Sequence, residues 1–206
     1  METTEGRQFE QSLRMVLTVD VYLTNAFVNF MEKYLPLGQL KEHYKMLELS
    51  CHGIPWLVTI ITFNWILDNK NLSQMQVNLT IGLLLDILLV CIIKVITRRR
   101  RPSLHNSLFF IGPDKYSFPS GHASRAVFIT YFFFYIWPIS LIFASPLLAW
   151  SVSVCLSRLL MKRHHILDVL FGIFLGILEG VIMEYIYLEQ ETCVDIILWI
   201  SKDVQK

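Results

Sequence analysis

The sequence predicts an all-α fold, a polytopic membrane bundle of about six transmembrane helices in a single domain. Three observations predict it. Apolar residues make up 54% of the 206-residue chain and mean hydropathy is +0.49, where soluble domains hold roughly 45–50% apolar residues. These residues are gathered into runs approaching the ~20 needed to cross about 30 Å of hydrocarbon. Basic and polar residues collect between the runs, and no Gly/Ser linker, low-complexity stretch or internal repeat divides the chain. The connections are therefore short, and one bundle is expected rather than two domains.

The runs fall at about 15–31, 52–67, 77–97, 122–137, 139–156 and 166–187. The first carries Asp20, Asn25 and Asn29, so it either spans or lies along the interface; the second is short. The third, "VNLTIGLLLDILLVCIIKVIT", and the sixth, "ILDVLFGIFLGILEGVIMEYIY", are the clearest spans. Aromatic residues cluster at run ends, in "YFFFYIWP" (131–138) and "YIY" (185–187), as interfacial anchors do. Residues 1–14 and 189–206 read as tails around a membrane-embedded domain at 15–188. The first run begins too late for a cleavable signal peptide, and no small-residue cleavage site follows it. Cys51, Cys91, Cys155 and Cys193 show no CxxC spacing and read as small core hydrophobes. The near-neutral net charge of +1 conceals strong local segregation. No nucleic-acid partner is expected; the bilayer is the partner that composition implies.

Ionisable residues in or beside spans are costly and therefore become functional candidates. On a six-span reading, two loops emerge on the same face and hold most of them. The third run ends in Lys94, then Arg98, Arg99, Arg100, Arg101 and Pro102. Lys94 lies a full turn inside the span, where a buried ammonium wants an anion. Lys94 and Arg101 share a helical face if the helix persists, and Pro102 stops it near Arg101. Arg98 to Arg100 read as headgroup anchors. The next group is "PSGH", 119–122. Ser120 is a natural N-cap, and the free N–H groups beyond it, with the positive end of the helix dipole, suit an anion such as phosphate. Gly121 permits close approach, and His122 projects beside the anion. The last group is "SRLLMKRHHILD", 157–168. Arg158 ends the fifth run. His164 and Asp168 are four apart, so the carboxylate can accept an imidazole N–H and leave the other nitrogen free for attack. His165, three from Asp168, competes for the same carboxylate, and spacing does not choose between them.

Together these groups supply fixed cations, backbone donors at a helix start, one free histidine and one histidine–carboxylate pair. Phosphoryl transfer requires these parts: charge stabilisation on the equatorial oxygens, an in-line nucleophile and an acid for the leaving oxygen. Fixed cations would replace the neutralising role of Mg²⁺, so no metal and no other cofactor is expected. A metal site is the rival use of these side chains, but no HExxH or carboxylate pair is present, and the surrounding positive charge would repel a cation.

Lys94-x6-Arg101-Pro102, Pro119-Ser120-Gly121-His122 and Ser157-Arg158-x5-His164-x3-Asp168 together resemble the three signature motifs of the type 2 phosphatidic acid phosphatase superfamily. "SCHGIPWL", "LLLDILLVCIIKVITRRRRP" and "DKYSFPSGHASRA" look like its polyisoprenoid diphosphate (presqualene diphosphate) phosphatase branch, from about residue 10 onward. The long polar N-terminal tail of some members is missing. The resemblance implies that His164 is the nucleophile and forms a phosphohistidine, that Asp168 orients it, and that His122 protonates the leaving group. Lys94, Arg101, Ser120, Gly121 and Arg158 would hold the phosphoryl oxygens. It implies isoprenoid mono- and diphosphates as substrates, phosphatidate-type lipids as weaker ones, and a multi-pass protein of the endoplasmic reticulum or nuclear envelope. The rival reading is a non-catalytic carrier that binds an anionic headgroup. Asp20, Asp86, Glu179 and Glu184 read as interhelical hydrogen-bonding groups. His52 has no role derivable from the sequence, and neither oligomeric state nor tail preference is encoded legibly.

Overall fold

The computed structural model describes residues 4–35, 40–66, 70–102 and 115–204. Among them the order is α1 (Thr4–Tyr34), α2 (Lys41–Ser50), α3 (Gly53–Ile66), α4 (Lys70–Thr97), α5 (Gly121–Tyr131), α6 (Leu141–Leu160), α7 (Ile166–Tyr185) and α8 (Gln190–Val204). A π-helical segment, Phe132–Ile136, extends α5. The described β structure is one antiparallel bridge between Arg100 and Tyr116. The fold is an all-α membrane bundle.

By length and composition, three helices qualify as spans by themselves: Leu72–Thr97 within α4, then α6 and α7. A fourth crossing forms if α2 and α3, bent by 52° at a short break, make one broken span. The expectation of about six counted two further runs. One is α1, whose apolar stretch is interrupted by Asp20, Asn25 and Asn29. The other is α5, which is short even with its π segment because it is the hub of the bundle rather than a wall. Its residues Ala123, Ala126, Phe128 and Ile129 are wholly buried, between α4, α6 and α7.

The spans are apolar on their outer faces and their mid-span charged side chains are buried, as in-membrane charges require. Leu84, Leu88 and Ile92 of α4, Leu141, Ile142 and Phe143 of α6, and Leu170 and Phe174 of α7 are exposed. Asp86, Arg125 and Glu179 are buried. Arg125 Nη2 lies 2.6 Å from Asp86 Oδ2, and Arg125 Nη1 donates to the Cys51 carbonyl at 3.1 Å. The guanidinium thus ties α4 and α5 to the elbow between α2 and α3. The main apolar cluster, with Ile60, Leu79, Leu83, Phe128, Ile129, Phe132 and Met183, lies in the bundle interior.

Close approach of α5 to α7 depends on a stripe of small residues. A Cβ at Gly172 would stand 2.6 Å from the Ser120 carbonyl oxygen. One at Gly176 would collide with the Ser124 carbonyl, and one at Gly180 with the Tyr131 ring. The α5 backbone therefore lies directly on α7, which brings the start of α5 beside the start of α7. The stretch 189–206, read as a tail, is helical through α8 and packs on α4. Asn78 clamps the turn before it, accepting from Leu188 N at 2.8 Å and donating to Leu188 O at 3.1 Å. On the N-terminal side, the helix of the first run already begins at Thr4.

Candidate active site

The basic end of the third run does not continue as helix to Arg101. α4 stops at Thr97, where Arg98 adopts a left-handed backbone (φ 49°), a conformation uncommon for a residue with a Cβ. Arg98 N still donates to Lys94 O at 3.0 Å, and the chain then turns into the Arg100–Tyr116 bridge. Ser117 N donates to Arg99 O at 2.8 Å, and Ser117 Oγ to Arg100 O at 3.1 Å. Lys94 and Arg101 therefore do not share a helical face. What brings both cations to one place is a turn and a bridge that also deliver the approach to α5.

Ser120 is the N-cap of α5, with φ −76° and ψ 102°, and its hydroxyl accepts from Ala123 N at 3.4 Å. Its own N–H donates to the Asp168 carbonyl at 3.0 Å, which pins the two helix starts together. The first-turn amides of Gly121 and His122 lack intrahelical acceptors by the geometry of a helix start, and the dipole adds positive potential there. Gly121 is packed against Val90, which a Cβ would meet at 3.0 Å. His122 Nε2 is buried without a hydrogen-bond partner among the described residues.

α6 ends in a second left-handed residue, Lys162 (φ 54°). The Arg158 carbonyl accepts from Arg163 N at 3.1 Å and His164 N at 3.3 Å, closing a tight turn that drives His164 inward. The Arg158 side chain is almost wholly buried; it donates to Ser157 Oγ at 3.2 Å, and its Nη1 lies 3.4 Å from Glu48 Oε1. An anion at Arg158 would share that guanidinium with Glu48.

His164 is buried, and its Nδ1 lies 2.7 Å from the Ser117 carbonyl oxygen. A carbonyl only accepts, so Nδ1 carries the proton and the lone pair sits on Nε2. Asp168 Oδ2 is farther from the same nitrogen, at 3.8 Å. The expected orienting bond from His164 to Asp168 is replaced by one to the backbone. Asp168 instead accepts from the His165 amide at 2.8 Å, with His165 Nδ1 at 3.4 Å, inside a capping box at the start of α7. Burial, with the charges of Arg101 and Lys94, holds the His164 imidazole down to about 4 against the opposing pull of Asp168. At neutral pH it is an unprotonated base with an available lone pair.

Three residues outside the sequence-derived set complete this frame. Arg99 Nη1 pairs with Asp168 Oδ1 at 2.6 Å, and its Nη2 with Asp20 Oδ2 at 2.5 Å. Asp20 Oδ1 also accepts from Leu167 N at 3.0 Å, and Thr24 Oγ1 from Ile166 N at 3.1 Å. α1 thus caps α7 from outside, satisfying amides that a helix start leaves open. An acid inside an apolar run was the signal for Asp20; nothing singled out Arg99 among four consecutive arginines.

The site residues converge. The charges of Arg158 and Lys94 act on His122, and those of Arg101, Lys94 and Asp168 on His164, so Lys94 lies near both imidazoles. Such an arrangement can neutralise a tetrahedral oxyanion, present an imidazole lone pair to it and offer a second imidazole as acid.

Residues 76–191 match the family model of the PAP2 superfamily. A probable lipid phosphate phosphatase beta of Arabidopsis thaliana is 30% identical over 192 residues, covering 80% of this chain and 87% of that protein. The crystal structure of LpxE from Aquifex aeolicus superposes with a TM-score of 0.55 at 22% identity. It covers 73% of this chain and 87% of that one, a likeness of fold.

Proposed function

The chain belongs to the PAP2 superfamily, and on that premise we propose that it is an integral-membrane lipid phosphatase whose preferred substrates are isoprenoid diphosphates and monophosphates, with phosphatidate-type lipids hydrolysed more weakly. The observation that carries the chemistry is the Ser117 carbonyl on His164 Nδ1, which leaves Nε2 as the nucleophilic nitrogen of a buried, unprotonated imidazole.

In this reading His164 Nε2 attacks phosphorus and forms the N–P bond of a phosphohistidine, while the bond to the leaving oxygen breaks. His122 transfers its proton to that oxygen. Water then attacks the phosphohistidine and gives a proton to His122, which releases inorganic phosphate and restores both histidines. Lys94, Arg101 and Arg158, with the Ser120–Gly121 end of α5, hold the phosphoryl oxygens. Asp168 acts through the His165 amide and Arg99 to keep the α7 start in register. The fixed cations do the neutralising that Mg²⁺ does elsewhere, so the reaction runs without a metal or other cofactor. The isoprenoid preference rests on the likeness of "SCHGIPWL" and "LLLDILLVCIIKVITRRRRP" to that branch. So does residence in the endoplasmic reticulum or nuclear envelope, which a fluorescent fusion examined by microscopy would check.

Purified protein in detergent is expected to release phosphate from farnesyl diphosphate in EDTA, and His164→Ala to abolish release. Activity lost in EDTA and restored by Mg²⁺ overturns the mechanism. The carrier reading uses the same cations without chemistry; trapping a phosphorylated protein that His164→Ala fails to form excludes it.

A further inference from the structure

We infer that His52 is a specificity-determining residue for diphosphate substrates, its imidazole hydrogen-bonding to the phosphate that departs with the lipid. The inference rests on the isoprenoid diphosphate reading and assigns the leaving-group side of the same site.

His52 occupies the elbow between α2 and α3, and the elbow is held against the first turn of α5 from three directions. Cys51 Sγ donates to the His122 carbonyl at 3.2 Å. The Cys51 carbonyl accepts from Arg125 Nη1 at 3.1 Å, and Arg125 is anchored by Asp86. Gly53 packs so closely that a Cβ there would meet Arg125 Cζ at 3.1 Å. These contacts set the His52 ring edge-on to the His122 ring, with centroids 6.3 Å apart and planes at 71°. The ring is half-buried, and its nitrogens make no hydrogen bond among the described residues. An elbow this firmly clamped, delivering an imidazole whose nitrogens are unused among the described residues beside the general acid, points to a ligand for that imidazole.

The chemistry says which ligand. His164 attacks the terminal phosphorus of a diphosphate, and the bond to the bridging oxygen breaks. The leaving group is an isoprenyl monophosphate whose bridging oxygen takes the His122 proton. Its remaining anionic oxygens sit on the phosphorus attached to that oxygen, and so beside His122, within reach of a donor on the adjoining ring. A monophosphate substrate leaves as an alcohol and presents no such oxygens. His52 therefore contributes to the first reaction and has nothing to hold in the second.

The test measures kcat/KM for farnesyl diphosphate and farnesyl monophosphate separately, with wild-type protein, His52→Ala and His52→Gln. The expected result for His52→Ala is a loss of about tenfold or more on the diphosphate, the usual effect of removing one hydrogen bond to a charged group. On the monophosphate the change should stay within about twofold, and His52→Gln, which keeps an N–H donor, should recover part of the loss. Equal losses on both substrates, or no loss on the diphosphate, overturn the assignment. A wild-type protein that hydrolyses the monophosphate and not the diphosphate overturns the substrate reading itself, and is told apart because it needs no variant.

Discussion

Replacing Arg99 with alanine removes the countercharge from two buried carboxylates at once. The Arg99 side chain is 13% exposed, Asp20 2% and Asp168 0%. Breaking a buried pair by deleting one partner costs about 3–5 kcal/mol, because the other charge stays behind in a poor solvent. Here each carboxylate keeps one amide donor, Leu167 N for Asp20 and His165 N for Asp168, so about 3 kcal/mol is the reasoned loss. For a chain of this size that lowers Tm by about 6–12 °C. The pair also fixes the α7 start, and a displacement of about 1 Å there costs on the order of 100-fold in rate. Thermal melts in detergent, with phosphate release from farnesyl diphosphate below the transition, measure both. Arg99→Lys should rescue only partly, since an ammonium does not reproduce the two-pronged guanidinium. In a double-mutant cycle, Asp20→Asn should couple to Arg99→Ala by about 0.5–3 kcal/mol. A variant that melts within about 1 °C of wild type and keeps kcat within about twofold refutes the reasoning, and returns Arg99 to the headgroup-anchoring role of its neighbours.

Because His164 is held down to about 4, the acid limb of kcat/KM due to this group in the free enzyme should fall near pH 4 rather than near 6.5, as a pH–rate profile would check. Between those values the unfolded chain binds a proton that the folded one does not. Folding stability should therefore rise with pH through that window by up to about 3 kcal/mol, which melts at stepped pH would check. Gly176→Leu forces a side chain into the Ser124 carbonyl, so α5 and α7 must separate. Folded yield should drop sharply, whereas Ile177→Leu, at the exposed neighbouring position, should leave it unchanged. Arg125→Ala leaves Asp86, which is wholly buried, without its 2.6 Å partner. It should destabilise by about 3–5 kcal/mol in detergent melts, and Asp86→Asn in the same chain should recover part of that.

The motif residues were legible in the sequence because their chemistry is local to short strings. Ser120 caps because a hydroxyl before an apolar run does so in most settings, and Lys94 stands out because an ammonium inside a span needs a reason. The membrane class was legible too, since it depends on summed hydropathy and not on which helix meets which. Contacts between segments remote in sequence were not legible. Four arginines in a row are equivalent on paper; the left-handed backbone at Arg98 and the Arg100–Tyr116 bridge turn Arg99 inward. Helical spacing offered Asp168 to both His164 and His165, and the His164 proton went instead to a carbonyl 47 residues away.

By itself, then, the sequence determined that this is a helical membrane protein and which side chains are candidates for phosphate chemistry, since hydropathy and residue type are properties of the chain alone. Only the tertiary structure decided which nitrogen is free, which arginine is a strut and where His52 lies. Those depend on distances between segments remote in sequence, and no local propensity encodes such distances.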